Sequence, residues 1–297
     1  MSHNRKAVVL LITLLFVLLI TLSIGAILEN INKSEELLKE QRALYKESIL
    51  LQDLLVMLQN SQEIQQLADS NATDAMFTFL QTSQQLPLKL GNMQMMFSIT
   101  SARSKIPINS MRQEQIPFFE EYFSRYGVRG EFVEMIQDVL SGVQEDGGYK
   151  TAIFERYPRL YRDGLVSLKM LQVVIAYYKQ EYKDDAISKI RFADLFSFNS
   201  EASSIDLNFA TAQSWELLTG VDAMRAKELA SHEEIYSSFD DLGLTQEEQE
   251  RLQRFQTTFF ATYLLVKVDI IHKNYIRKIS FEYDIRTKKG YNFRYEF

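Results

Sequence analysis

Histidine, the usual side chain for proton transfer near neutral pH, occurs at only three scattered positions, His3, His232 and His272. That spread suits surface or capping roles rather than a shared metal or a general base. No cysteine occurs, which excludes disulfides, a thiol nucleophile and thiolate-held zinc. No Ser-His-Asp arrangement, phosphate-binding loop or dinucleotide fingerprint occurs either. Oxygen donors are the remaining option. Glu145-Asp146 and Asp240-Asp241 could ligate calcium, which takes carboxylates on flexible loops. Their spacing matches no EF-hand loop, and solvated acids are the plainer reading. Asp69-Ser70-Asn71-Ala72-Thr73 contains both the N-x-T acceptor and the longer acidic D-x-N-x-T form, making Asn71 a candidate glycosylation site. The same residues suit a helix cap. Nothing at residue level supports an enzyme, and no cofactor is expected, calcium apart.

The elements that must carry these residues start with an apolar run. Ala7 to Leu28 (AVVLLITLLFVLLITLSIGAIL) holds 22 consecutive uncharged residues behind the leader MSHNRK. At about 1.5 Å per residue it reaches roughly 33 Å, enough to cross a hydrocarbon core of ~30 Å. Arg5 and Lys6 precede it and Glu29 follows, so the positive-inside rule puts the leader in the cytoplasm and residues 30 to 297 beyond the membrane. A cleaved secretory signal is the alternative, but its apolar core is about 7 to 15 residues long. Ser23-Ile24-Gly25-Ala26 is a weak cleavage site. All 39 acids and all but two of the 33 bases lie beyond position 28, a net charge of −8 there. That argues against nucleic acid as a partner, since phosphate binding needs a positive surface. Four prolines and 11 glycines leave no low-complexity linker.

Leu37, Leu44, Leu51, Leu55 and Leu58 share one helical stripe. The reading is one helix of about 60 residues, half in lipid and about 90 Å long, or else two helices with a loop near Asn30 to Ser34. Ser70 or Asn71 caps a further helix through Phe79 and Leu80. Pro87 and Gly91 frame a turn. Met95 to Thr100 reads as a strand and Lys105 to Asn109 as a short extended piece. From Met111 to Leu195 the periodicity is helical, with Phe118, Phe119, Tyr122 and Phe123 clustered. Ile205 to Asn208 is extended, Ala210 to Leu218 and Ala223 to Ala230 are helices parted by Gly220, and Thr245 with Glu248 forms a capping box. Tyr263 to Ile271 and Ile279 to Arg286 read as strands, the second with Phe281, Tyr283 and Ile285 on its buried face. Tyr291, Phe293, Tyr295 and Phe297 alternate in a last strand. The outer half of the long helix should cover this sheet.

A short basic leader, an apolar helix running into an amphipathic one, and a C-terminal antiparallel sheet resemble the type IV pilin architecture. Three stretches resemble the type II secretion minor pseudopilin K family (general secretion pathway protein K). They are Phe97-Ser-Ile-Thr-Ser-Ala-Arg-Ser-Lys-Ile-Pro-Ile-Asn109, Ile205-Asp-Leu-Asn-Phe-Ala-Thr-Ala212, and Leu217-Leu-Thr-Gly-Val-Asp222 followed by Tyr236-Ser-Ser-Phe-Asp-Asp-Leu242. The last is similar to that family's helix-hairpin-helix-like module, whose acidic neighbours Glu228, Glu233 and Glu234 fit packing rather than DNA. The resemblance implies an α+β fold, with a pilin-like long helix on a C-terminal antiparallel sheet and an inserted helical domain. The implied divisions are leader 1–6, transmembrane segment 7–28, periplasmic half-helix 29–68, pilin-like strands 69–110, inserted helical domain 111–257 and C-terminal strands 258–297. Prepilin peptidase would cut between Lys6 and Ala7, where the customary Gly is absent. Leu11 then fills the fifth mature position, apolar as in that family. The implied role is non-catalytic: a minor pseudopilin at the tip of a periplasmic pseudopilus, anchored in the bacterial inner membrane with its C-terminal domain periplasmic. Other minor pseudopilins would be its partners through the N-terminal helix, with contact to secreted substrate. The alternatives are a membrane-tethered periplasmic binding or sensory module, or a minor pilin of a type IV pilus or competence system.

Overall fold

The computed structural model describes residues 13, 15–21, 39–69, 73–83, 85–90, 93–144, 148–199, 202–272 and 275–296. Contacts divide the chain into two units, residues 1–102 with 260–297, and residues 103–259.

The first unit is helices on a sheet. Helix α1 (Lys39–Asn60) is followed by the short α2 (Gln62–Gln66) and by α3 (Thr73–Thr82). The continuous helix expected through Ala68 is interrupted at Ser61. Ser61 takes an extended conformation (φ −71°, ψ 114°), and its side chain caps α2 by accepting from Ile64 N–H. A serine offers the backbone this alternative to the helical ladder, which is why the break falls there. Five antiparallel strands follow in sequential order: β1 (Leu86–Leu90), β2 (Met93–Ser101), β3 (Tyr263–His272), β4 (Tyr275–Asp284) and β5 (Lys289–Glu296). Pro87, expected in a turn, lies instead in β1 opposite Met96. β1 is an edge strand, where a missing N–H costs no ladder bond.

One sheet face is mainly apolar. Phe97 stands opposite Val268, which stands opposite Ile279, and Ile99, Val266 and Phe281 form the next row. Phe281, Tyr283 and Ile285 are buried. The helices cover them: Gln65 donates to Tyr283 Oη at 3.5 Å, and Gln59 donates to the Lys288 carbonyl at 2.9 Å. Two expectations for the last strands fail. Glu282 and Asp284 are buried rather than solvated, because Glu282 accepts from Asn292 and Asp284 accepts from Thr262 and Thr287. Phe293 and Tyr295 are exposed, on an edge strand whose pairing has a register shift at Ser280/Glu282 beside the left-handed Asn292 (φ 52°).

Residues 15–21 are helical, and among them Phe16 and Ile20 are buried, with the Phe16 ring edge-on to Phe79 of α3 at 6.5 Å. Most of the apolar run 7–28 lies outside the described residues. Among the described residues no helix is long and apolar enough to cross a membrane.

The second unit is mostly helical: α4 (Ile116–Arg125), α5 (Glu131–Leu140), α6 (Leu168–Tyr182), α7 (Ala212–Thr219), α8 (Ala223–Ala230) and α9 (Gln246–Leu252). Phe119, Tyr122, Phe123, Phe132, Phe196 and Trp215 fill its core. Phe123 packs edge-on to Phe132 at 5.0 Å, the preferred aromatic geometry. The unit's ends fall at Arg103 and Phe259 rather than at 111 and 257. Short strands set those ends. Ile106–Pro107 pairs in parallel with Phe196–Ser197, and Thr257–Thr258 with Ile205–Asp206.

Candidate functional site: the closed ends of the inserted unit

The stretches 97–109 and 205–212 meet where the ends of the second unit come together. Asp206 N–H donates to the Arg103 carbonyl at 2.8 Å, and Leu207 N–H donates to the Thr258 carbonyl at 2.9 Å. One extended segment therefore ties the first and last residues of the unit. The Ser104 carbonyl accepts from Thr211 N–H at 3.0 Å and from the Ser214 hydroxyl at 3.3 Å. Thr211 is the N-cap of α7, and its hydroxyl also donates to the Asp194 carbonyl at 2.7 Å. A cap hydroxyl of this kind satisfies an otherwise orphaned helix N–H.

Two amides, the buried Asn208 and the half-buried Asn109, lock the surrounding loops. Asn208 donates to the Tyr236 and Phe259 carbonyls at 2.9 and 2.7 Å and accepts from Tyr236 N–H at 2.7 Å. Asn109 accepts from Leu165 N–H at 2.7 Å and donates to the Leu165 carbonyl at 3.0 Å. Irregular backbone has no ladder partner, so a buried amide that both donates and accepts takes that place. Asp138 does the same for the loop after α5, accepting from Lys150 N–H, Thr151 N–H and the Thr151 hydroxyl at 2.8, 2.7 and 2.6 Å.

The α7–α8 hairpin is held from within the chain. α7 ends at Gly220, left-handed at φ 79°. Arg125 Nη1 donates to the Gly220 carbonyl at 2.6 Å, and Arg251 Nε donates to the Leu217 carbonyl at 3.1 Å. Arg251 lies over the Phe118 ring at 4.8 Å, and both guanidiniums pair with Glu121. Burial would raise the Glu121 pKa, but the charge of Arg251 and the hydrogen bonds from both arginines outweigh it and hold the carboxyl below its usual range. Nearby, Tyr126 donates to Glu216 at 2.6 Å, and burial followed by that acceptor pushes its hydroxyl up to about 12. These groups bind backbone and each other, so the arrangement is architectural.

The residues singled out for chemistry are not brought together. Asp240 and Asp241 share a short 3-10 turn. Asp241 Oδ2 accepts from Ser237 N–H and Ser238 N–H at 2.7 and 2.8 Å, so that oxygen is committed to backbone, and those bonds lower its pKa. His232 stacks on Tyr236 at 4.1 Å, and burial lowers its pKa. His272 sits at the end of β3. Lys6, Ala7, Leu11, Asn71, Glu145 and Asp146 lie outside the described residues. Among the described residues no three His, Asp or Glu side chains form a metal-holding group. A cavity of about 240 Å³ in the second unit is lined mainly by Ile106, Met111, Phe119, Ile205 and Phe255, and its Arg112 and Gln115 side chains both donate to the Arg254 carbonyl.

Asn109, Asn208, Arg125, Arg251 and Asp138 were not marked by sequence reasoning. For the two arginines the signal is local: Gly220 ending a helix leaves carbonyls that a cation can take.

No protein-family model matches the chain, and no curated protein does. Among solved structures, a chain of the GspK-GspI-GspJ complex from the enterotoxigenic Escherichia coli type 2 secretion system matches with a TM-score of 0.55 and 12% identity. The match covers 87% of this chain and 99% of that chain. At that identity the likeness is one of fold, a shared α+β arrangement of helices and antiparallel sheet that runs the full length of the secretion-system chain.

Proposed function

We propose that this chain is a non-catalytic minor pseudopilin of the K type, placed at the tip of a periplasmic pseudopilus and taking part in protein secretion across the outer membrane. The observation that carries the reading is the fold likeness, which accounts for 99% of a chain taken from a complex of such subunits. The basic leader and the apolar run Ala7 to Leu28 support it from the sequence side. On this reading residues 7–28 anchor the chain in the inner membrane, the leader is cytoplasmic and the rest is periplasmic. Its partners are other minor pseudopilins. Leu11 at the fifth mature position fits a subunit with nothing above it, since a carboxylate in lipid is costly unless paired with a neighbour's amine.

The test is the full chain, expressed with a prepilin peptidase and tagged I-type and J-type minor pseudopilins. The expected result is a mature chain starting at methylated Ala7 that co-purifies with both. A chain retaining Met1 and eluting alone in the presence of active peptidase would overturn the reading.

A further inference from the structure

The loop leaving the helical turn Ile153–Arg156 carries three arginines in seven residues, Arg156-Tyr-Pro-Arg-Leu-Tyr-Arg162. Its middle is a turn, closed by Leu160 N–H donating to the Tyr157 carbonyl at 2.9 Å. Pro158 at the second position of that turn presets its backbone. Both flanks are pinned. Tyr157 meets Tyr177 of α6 edge-on at 5.9 Å, Leu160 packs on the unit's core, and Arg162 lies over the Phe154 ring at 4.4 Å. Just beyond, Asp163 N–H and Gly164 N–H donate to the Val139 carbonyl near the end of α5, at 3.0 and 3.1 Å. The loop is therefore held in shape from within the unit, and a ligand has little of it left to order.

The unit does not use these charges itself. Arg156 and Arg159 are exposed, and among the described residues neither guanidinium has an ion-pair or hydrogen-bond partner. Arg162 makes ring contacts alone, which leave its N–H groups unengaged. Arginines elsewhere in the unit are paired: Arg112 with Glu114, Arg191 with Asp194 and Arg225 with Glu228. The loop's one acid, Glu155, is exposed and pairs with none of the three. Tyr161 stands between the last two arginines in sequence and is 53% exposed.

The acids of the unit gather at the other end of α5. Glu120, Glu121, Glu131 and Glu134 line one open groove at its start. The ten residues of α5 put about 15 Å between that groove and the loop, well beyond a Debye length of about 8 Å at physiological salt. A short anion at the loop is attracted locally, although the whole chain carries a net charge of −6. A long polyanion also reaches the glutamates and is repelled.

We propose that the 156–162 loop docks a short acidic segment of another protein, with two or three carboxylates inside about five extended residues, roughly 16 Å. Guanidinium forks take carboxylates in paired hydrogen bonds, and arginine and tyrosine on a rigid support are the side chains that dominate protein interfaces. The docking does not depend on where residues 7–28 sit.

The test titrates the full chain, in uncharged detergent, into the dye-labelled peptide Asp-Gly-Asp-Gly-Asp, with Asn-Gly-Asn-Gly-Asn as the uncharged control, read by fluorescence anisotropy at 50 mM salt. The acidic peptide should bind at least tenfold more tightly than its amide counterpart, and several-fold less tightly at 300 mM salt. Arg156→Glu combined with Arg159→Glu should weaken binding at least fivefold at an unchanged melting temperature, since neither side chain holds the fold. Lys227→Glu makes a charge reversal at an exposed position on α8, and should change binding less than twofold. Equal affinity for the two peptides overturns the proposal, as does an equal loss in Lys227→Glu. Tighter binding of a thymidine pentanucleotide or of phosphatidylglycerol vesicles through the same two arginines makes the ligand a phosphate and also overturns it.

Discussion

Asn208 illustrates how much one buried amide can hold. Its replacement by Ala leaves two carbonyls and one N–H without their partner. Each such group costs about 1–3 kcal/mol, so Asn208→Ala should lower unfolding stability by roughly 3 kcal/mol or more, read from the urea midpoint of the full chain. Asn208→Asp, which keeps the acceptor, should lose less than Ala only if the Tyr236 N–H bond dominates. Gly220→Ala meets two obstacles: a left-handed backbone and a Cβ within 2.7 Å of Arg251 Nη1. A loss of about 1–2 kcal/mol is expected by the same measurement. His232 sets a pH dependence. Its folded-state pKa lies below the ordinary value of 6.5 because burial disfavours the imidazolium. The unfolded chain therefore binds the proton first, and stability is full above 6.5 and falls as pH drops through the folded pKa. His232→Phe should flatten the melting temperature between pH 7.5 and 5, and an unchanged slope would refute this. The Thr245–Glu248 capping box was legible in the sequence because both partners lie within four residues. Asn208 was not, since its partners are 28 and 51 residues away.

At the scale of elements, period-two alternation identified the buried side of β4, because Phe281, Tyr283 and Ile285 face a helix layer. It misassigned the other side, since nothing local says that Asp284 will find Thr262 and Thr287. The stripe of leucines likewise conveyed a helix but not its interruption, which depends on one serine choosing the cap over the ladder. Replacing Ser61 with Ala removes that cap and should cost about 1 kcal/mol while straightening α1 into α2, seen as a gain in helical circular dichroism. The Phe16–Phe79 contact belongs to this scale too. An apolar helix seated on α3 can instead seat in lipid, and the two burials exclude each other. With Phe16→Cys and Phe79→Cys as the only thiols, a short bifunctional thiol reagent should link them in aqueous solution and fail in vesicles. Equal linking in both would place this contact inside the anchored form.

For the molecule as a whole, composition excluded thiol chemistry and argued against nucleic acid, and the order of elements along the chain anticipated an α+β fold. The same order could not reveal how the helical unit closes on itself, since Arg103, Asp206 and Thr258 are far apart in sequence. That closure bears on how the protein comes to be folded at all. β2 and β3 are neighbours, yet the whole of residues 103–259 separates them. Were those residues still a random coil, joining the two strands would require a very long loop, slow to close. Tied at 205–208, the unit holds its own two ends together without help from the sheet. The helical part should therefore act as a preformed hinge pin: it matures first, and the sheet zips afterwards as though joined by a tight turn. Pulsed hydrogen exchange during refolding should show protection at Trp215 and Phe132 preceding that at Val268 and Phe281. A chain loosened at Asn208 should then slow at the sheet, far from the residue that was changed.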